Sequence, residues 1–189
     1  MTPPEEVDAG PFILRRWQAV WATGLLAAVR ASLPQLQASS AAWATDDYSL
    51  DSAREFMDRV DRNWAEQSSF SYAMQTPNGE IVGAASLMTR MGPGVLEIGY
   101  WVHSDFSGRG YATAAAVALT QVALSLEAVE KVAIRHDARN RASARVAERA
   151  GYVEVARRPS TLDARGGETD IEVVWEHPTA RGDEPSRCG

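Results

Sequence analysis

The sequence has little cysteine and histidine: one cysteine and 3 histidines in 189 residues. The cysteine, Cys188, is the second residue from the end of the chain. These scarcities exclude a disulfide framework and a cysteine-based zinc cluster, and they leave no cysteine placed to act as a catalytic nucleophile. We therefore expect a protein of the reducing cytoplasm that has no metal site.

Long apolar runs and an excess of positive charge are also missing. No stretch approaches the ~18 consecutive apolar residues of a membrane span, and the acidic start of the chain lacks the pattern of a signal peptide. The formal net charge of -6 argues against sequence-independent binding to nucleic acid phosphates. We expect neither a membrane nor a nucleic acid partner, and an amine-bearing partner suits this charge better.

The length and composition fit one globular domain, because 189 residues with 45% hydrophobic content can bury a proper core. We expect a flexible N-terminus over 1–10, a single domain over 11–177 and a disordered polar tail over 178–189. Either a monomer or a homodimer is compatible with this composition.

Local signals predict the elements of this domain. A helix over 18–33 should end or bend at Pro34, and Ser49 or Asp51 should cap a second, amphipathic helix. The pair Asn78-Gly79 indicates a tight hairpin in which both residues have positive φ. The full order is β, α, α, β, β, β, α, β, α, β, β.

This order predicts an α+β fold with a mixed, mostly antiparallel central sheet of about seven strands and flanking helices. One crossover helix links two strands that should lie parallel. Two parallel neighbours splay where one carries an irregular turn, and such a split is a natural ligand cleft.

The stretch SGRGYA (107–112) joins a predicted strand to a helix. Gly108 and Gly110 expose backbone N–H groups at a helix N-terminus, where phosphate is the expected ligand. A plain strand-to-helix turn is one interpretation. A Walker-type loop fails because Tyr111 stands where lysine is required, and a dinucleotide loop is weak because Thr113 replaces its third glycine.

Together with LEIGYWV before it and NRASARVAERAGY after it, this stretch resembles the GNAT superfamily of acetyl-CoA-dependent N-acetyltransferases. The likeness is to the RimJ/RimL-like branch, which acetylates N-termini of ribosomal proteins, and it spans about 12–176. That branch has a Gln/Arg-x-x-Gly-x-Gly/Ala pyrophosphate loop, here 107–112, and an Asn-x-x-Ser helix start, here Asn140 and Ser143. Ser107 replaces the usual Gln/Arg, so weaker cofactor binding is expected.

The resemblance implies that acetyl-CoA binds between the splayed strands and at the glycine turn. The implied cofactor-binding residues are Trp101, Val102, Ser107, Gly108, Arg109, Gly110, Tyr111, Ala112, Thr113, Asn140 and Ser143. A backbone N–H near Val102 would stabilise the oxyanion. Ser143 is the candidate to hydrogen-bond the leaving thiolate, while the alternative is that Ser143 and Asn140 only cap their helix.

The acceptor amine needs a base and a pocket. Glu97 could take the proton directly or through water, and the alternative is a strand carboxylate paired with a nearby arginine. The candidate substrate-binding residues are Trp43, Tyr48, Phe56, Trp64 and Glu97. At helical spacing, such aromatic residues alternatively belong to the core.

We expect an acetyl-CoA-dependent N-acetyltransferase in which a primary amine, the α-amine of a protein or peptide, attacks the thioester directly. Three alternatives stay open. The acceptor could be a small amine such as an antibiotic, a polyamine or an amino-acid conjugate. The chain could be a non-catalytic acyl-CoA-binding module, because Ser107 departs from the motif and Ala147 stands where another branch has a tyrosine. A dinucleotide-binding protein is the third.

Overall fold

The computed structural model describes residues 2–39, 41, 43–161 and 171–178. The strands in these ranges are β1 (Glu6–Asp8), β2 (Ile13–Arg16), β3 (Ser69–Gln75), β4 (Ile81–Met88), β5 (Val95–Val102), β6 (Lys131–Asp137), β7 (Val153–Pro159) and β8 (Ile171–Glu176). The α-helices are α1 (Ala22–Ala38), α2 (Leu50–Glu66), α3 (Tyr111–Ser125) and α4 (Arg141–Arg149). None of the described helices is both long enough and apolar enough to cross a membrane.

All these strands form one sheet in the order β1-β2-β3-β4-β5-β6-β8-β7. Every neighbouring pair is antiparallel except β5 and β6, which are parallel and joined by α3. The predicted α+β fold with one parallel pair is therefore confirmed. The sheet has 8 strands instead of about seven, because β1 was not foreseen.

The parallel pair separates towards its carboxyl end. Ile98 and Ile134 are the last residues of β5 and β6 that are in register. Both strands continue beyond this point, β5 beside β4 and β6 beside β8. The predicted splay between the parallel strands is thus present, and it opens a gap in the sheet.

Backbone groups of β5 face this gap. The N–H of His103 donates to the carbonyl of Val82 at 2.8 Å, so this N–H points towards β4. Donors alternate sides along a strand, and the N–H groups of Tyr100 and Val102 therefore point the other way. The end of β5 offers a strand edge to a bound extended chain.

The β3–β4 hairpin forms at Asn78-Gly79, but its turn differs from the expected one. Only Gly79 has positive φ, at 83°, and its N–H donates to the carbonyl of Thr76 at 2.8 Å. Pro77 is the first central residue of the observed turn, and its ring fixes a negative φ. The expected turn would need positive φ at both of its central residues. The turn is therefore built from Pro77 and Asn78, with Gly79 following it in the left-handed region.

Residue choice explains how α3 packs on the sheet and how α2 begins. Ala115, Ala116 and Ala123 of α3 are fully buried against the sheet, and such small side chains bring the helix N-terminus close to the end of β5. In α2, the Ser49 side chain accepts a hydrogen bond from the N–H of Ser52 and completes a capping box, as one predicted alternative required.

The N-terminal segment corrects the expectation of a flexible start. Glu6–Asp8 pairs with β2, and Glu6 forms an ion pair of 2.9 Å with Arg15. The Tyr72 hydroxyl donates to the carbonyl of Pro4 at 2.9 Å. These contacts to distant parts of the chain order a segment whose composition alone suggested a tail. The predicted C-terminal tail lies outside the described residues apart from Pro178.

The first helix was expected to end or bend at Pro34, and it does not end there, because α1 continues through Pro34 to Ala38. Proline removes one backbone hydrogen bond of a helix interior. The residues after it are nevertheless held in place, since Leu36 is 2% exposed and Gln35 contacts the end of β5. Tertiary packing therefore outweighs the local penalty.

Candidate active site

A cleft of about 560 Å³ opens where β5 and β6 separate. Its walls are the end of β5, the loop before α3 and one side of α4. Ten of the predicted cofactor-binding residues line it: Trp101, Val102, Ser107, Gly108, Gly110, Tyr111, Ala112, Thr113, Asn140 and Ser143. The eleventh, Arg109, is not among its lining residues; its guanidinium lies 5.1 Å from the centre of the Phe106 ring.

The glycine turn has the backbone that its sequence requires. Gly108 and Gly110 have φ of 76° and 82°, in the left-handed region that favours glycine. A side chain added at either position would meet no atom within 4 Å, so both glycines border open space. No side chain caps the N-terminus of α3. Its first N–H groups and its dipole therefore favour an anion at the cleft.

Two side chains of helix α1 form hydrogen bonds with the loop before α3. Ser32, fully buried, accepts a hydrogen bond from the N–H of Ser104 at 3.0 Å. The Ser107 hydroxyl donates to the amide oxygen of Gln35 at 3.1 Å, and the Gln35 amide nitrogen lies 3.4 Å from the carbonyl of Val102. Sequence reasoning missed Gln35, because it is 72 residues away from Ser107.

Positive charge also lines the cleft. Arg145 and Arg149 of α4 border it, and both are exposed. The four-residue spacing places them on one face of the helix. Sequence reasoning missed these arginines as well, although their spacing was a usable signal.

Two further cavities of about 310 Å³ and about 300 Å³ adjoin the cleft. Both are lined by Trp43, Gly99 and Tyr100, and the first shares Tyr100, Asn140 and Ser143 with the cleft. These two cavities together are hereafter called the acceptor pocket. A molecule in this pocket would meet a molecule in the cleft beside Tyr100 and Ser143. This shared wall can bring two reactants together.

The predicted substrate-binding aromatics separate into two groups. Trp43 and Phe56 line the acceptor pocket, and Tyr48 is buried behind Trp43 with ring centres 6.0 Å apart. Trp64 is 4% exposed and packs edge-on against Phe70 and other core rings. Trp64 therefore belongs to the core, and its assignment to a substrate pocket was wrong because helical spacing does not distinguish the two.

Glu97 lies in the acceptor pocket but is fully occupied by arginines. Its side chain is 2% exposed. Arg90 donates to both of its oxygens, at 2.6 Å and 2.8 Å, and Arg135 donates at 2.9 Å and 3.2 Å. Both carboxylate oxygens thus accept charge-assisted hydrogen bonds from guanidinium groups. This geometry matches the predicted alternative, a strand carboxylate paired with nearby arginines.

The ion pairs continue from Glu97 across β6 to β8. Arg135 also bonds Glu172 at 3.2 Å, and Arg158 bonds Glu172 at 2.7 Å. Burial raises the pKa of Glu172, but the hydrogen bonds from Arg158 and Thr161 and the charge of Arg135 outweigh it and hold the pKa below the ordinary 4.5. The floor of the acceptor pocket is thus a fixed charged network.

Three polar side chains meet between the cleft and the acceptor pocket. The Asn140 side chain accepts from the N–H of Ser143 at 3.0 Å, so Asn140 is the N-cap of α4. The half-buried Ser143 lines both spaces. The hydroxyl of Tyr100 is buried beside the side chain of Ser143.

Comparison with known proteins decides the family. Residues 11–153 match the family model described as an acetyltransferase (GNAT) domain, which is more than half of the chain. The chain belongs to the GNAT acetyltransferase family. The predicted enzyme class, an acetyl-CoA-dependent N-acetyltransferase, is therefore confirmed. No curated protein matches this GNAT enzyme in sequence.

Solved structures share the fold of this GNAT enzyme at low sequence identity. The microcin C7 self-immunity acetyltransferase MccE, solved with acetyl-CoA and AMP, has a TM-score of 0.81 at 17% identity, over 92% of this chain and 96% of that one. RimL, the ribosomal L7/L12 α-N-protein acetyltransferase solved with coenzyme A, has a TM-score of 0.81 at 19% identity, over 92% and 97%. RimJ of Mycobacterium smegmatis has a TM-score of 0.79 at 19% identity, over 93% and 89%.

Proposed function

We propose that this GNAT enzyme transfers the acetyl group of acetyl-CoA to the α-amine of a protein or peptide, the amine attacking the thioester directly. One observation carries the proposal: the cleft and the acceptor pocket meet along a common wall at Tyr100 and Ser143. Reactants held in these two spaces would have their reacting atoms adjacent, which is a large part of catalysis.

The cleft fits acetyl-CoA part by part. The strand edge at Tyr100 and Val102 suits the amide-bearing pantetheine arm, and the open glycine turn at the start of α3 suits the pyrophosphate. Arg145 and Arg149 add charge for phosphate oxygens. Bound there, acetyl-CoA supplies an activated acyl group. The Val102 N–H, facing the gap, is then placed to stabilise the oxyanion.

The α-amine is the acceptor that demands least from these side chains. Deprotonating an α-amine near neutral pH costs about 1 kcal/mol, against about 4.6 kcal/mol for a lysine side chain. Because Glu97 is held by Arg90 and Arg135, we assign it to the floor of the pocket and leave proton removal to water. A lysine acceptor would need a stronger base than water.

Two structural neighbours suggest the kind of acceptor. RimL is named for acetylating a ribosomal protein α-amine, and an acceptor of that kind would place this enzyme in the cytoplasm. MccE is named for self-immunity to microcin C7, which supports a small molecule as the second candidate. Cavities of about 300 Å³ are of a size that holds a small ligand.

Calorimetric titration of acetyl-CoA tests the cofactor site first. Gly110→Trp places a bulky side chain in the cleft, whereas Gly92→Trp makes the same change at another positive-φ glycine, in the β4–β5 turn, where the space is also open. We expect micromolar binding by the wild type and by Gly92→Trp and none by Gly110→Trp. Equal binding by all three would contradict the proposed site.

A panel of acceptors then tests the reaction. Peptides with free α-amines, the same peptides blocked at the N-terminus but carrying lysine, and small amines are each assayed for acetyl transfer. Higher kcat/KM for free α-amines supports the proposal, and preference for small amines supports the second candidate. Binding of acetyl-CoA without transfer to any member would favour a non-catalytic acyl-CoA-binding module.

A further inference from the structure

The smaller cavity of the acceptor pocket, of about 300 Å³, is a hollow on one face of the sheet. Four small residues from three neighbouring strands line it: Ser71 of β3, Ala84 and Ser86 of β4, and Gly99 of β5. Ser86 is in register with Ser71 and with Gly99. Ala84 is two residues from Ser86, so all four lie on the same face. Larger side chains at these positions would fill the space, so the hollow results from the small ones.

Three aromatic side chains line the same hollow: Trp43 of the loop after α1, Phe56 of α2 and Trp101 of β5. The rings of Trp43 and Trp101 have centres 6.1 Å apart. Trp43 is 43% exposed, whereas Trp64 of the core is 4% exposed. Exposed apolar surface beside a cavity is typical of a binding site. The cavity bounded by these four small and three aromatic residues is hereafter called the aromatic cavity.

The lining of the aromatic cavity suits an apolar group. None of the described residues that line it is charged. Four charged side chains line the larger cavity of the acceptor pocket: Arg90, Glu97, Arg135 and Asp137. The serine hydroxyls of the aromatic cavity bond within the protein, since Ser86 donates to Ser71 at 2.9 Å and Ser39 donates to the carbonyl of Leu36 at 3.1 Å. A charged group that entered would lose its hydrogen bonds to water, whereas an apolar group would gain by leaving water.

We propose that the aromatic cavity binds a large apolar side chain on the first residue of the acceptor peptide, and that Ala84 sets how large this side chain can be. This inference rests on the proposed function. The α-amine and the side chain are attached to the same carbon, so a side chain in the aromatic cavity places the amine near Tyr100, which lines both this cavity and the cleft. A volume of about 300 Å³ is at the lower end of the range for ligand pockets, so the cavity holds one side chain.

Three peptides that differ only in their first residue test the inference on the wild-type enzyme. The first residue is leucine, asparagine, which has nearly the shape of leucine but is polar, or alanine, which is apolar but small. We expect kcat/KM for the leucine peptide to exceed both others by at least about 10-fold, because even one methylene in an apolar pocket is worth that factor. Equal values, or a preference for alanine or asparagine, would overturn the inference and leave the proposed function standing. A wild type that acetylates none of the three peptides refutes the proposed function, and the inference with it.

Ala84→Leu tests the cavity itself. Ala84 lines the aromatic cavity and is not among the lining residues of the cleft, so the larger side chain should take up space meant for the acceptor. The ratio of kcat/KM between the leucine and alanine peptides should fall at least about 10-fold. Ala31→Leu makes the same change at an exposed residue of α1 that lines neither the cleft nor the acceptor pocket, and it should keep the wild-type ratio.

Calorimetric binding of acetyl-CoA shows whether Ala84→Leu is folded. An unchanged ratio in a variant that binds acetyl-CoA would overturn the inference. If the variant does not fold, the three peptides on the wild-type enzyme decide the question alone.

Discussion

Replacing Glu97 by glutamine tests whether this carboxylate holds the pocket together or takes a proton. Glutamine keeps the shape of the side chain but turns one acceptor oxygen into an NH₂ donor, which then faces the N–H groups of Arg90 and Arg135. Glu97 is 2% exposed and Arg135 is 7% exposed, so the lost contact lies in a buried environment.

The expected cost follows from these burials. Breaking a buried ion pair from one side costs about 3–5 kcal/mol. We expect the low end, about 3 kcal/mol, because Arg135 keeps Glu172 and because Arg90 is 51% exposed and solvated. For a chain of this size, each kcal/mol lowers the thermal midpoint by about 2–4 °C, so the midpoint should fall by about 6–12 °C.

Thermal unfolding near neutral pH measures this shift, with Glu154→Gln as the control. Glu154 also accepts two bonds from one arginine, Arg157, but that pair lies on the surface, so its loss should leave the midpoint nearly unchanged. Steady-state kinetics over a range of pH gives the second readout. A general base contributes at least about 100-fold to the rate. An unchanged midpoint together with a loss of kcat of that size would refute the structural role.

Three further changes test other parts of the site. Gly83→Ala makes a Cβ overlap the carbonyl oxygen of Trp101 at a φ of 154°, so it should displace the end of β5, destabilise the fold by about 1–3 kcal/mol and weaken acetyl-CoA binding in calorimetry. Gln35→Leu should raise the Kd of acetyl-CoA about 5-fold by releasing Ser107 from α1, with little change in melting temperature. Glu172 has a lowered folded pKa, so its contribution to stability is present above 4.5 and disappears as pH falls through the folded value. The melting temperatures of wild type and Glu172→Gln should therefore differ near neutral pH and converge in acid, and a constant difference would contradict the ion-pair network.

The parts of the fold that sequence predicted correctly are those set by local physics. A cap at Ser49, a helix start at Asn140 and a glycine turn before α3 each depend on a few adjacent residues. The parallel pair followed from the order of elements and the length of the crossover. In the hairpin, Pro77 changed the turn without changing the pairing, since both turn types bring the same two strands together.

The parts that sequence did not predict depend on contacts between distant residues. Gln35 and Ser107 are 72 residues apart, and Arg135 is 38 residues from Glu97. Periodicity likewise cannot tell a core aromatic from a pocket aromatic, as Trp64 and Trp43 show.

The net charge of the chain does not predict the local charge at the cleft. A net charge of -6 should disfavour a ligand rich in phosphate. Yet the cleft is bordered by Arg145, Arg149 and the N-terminus of α3, whereas acidic side chains such as Glu97 and Glu172 are neutralised by arginines deeper in the sheet. The electrostatic field at the cleft is set by the nearest charged groups, because exposed charges further than about 10 Å away are screened by salt. The protein can therefore be acidic as a whole and still attract an anionic ligand at one end of its sheet.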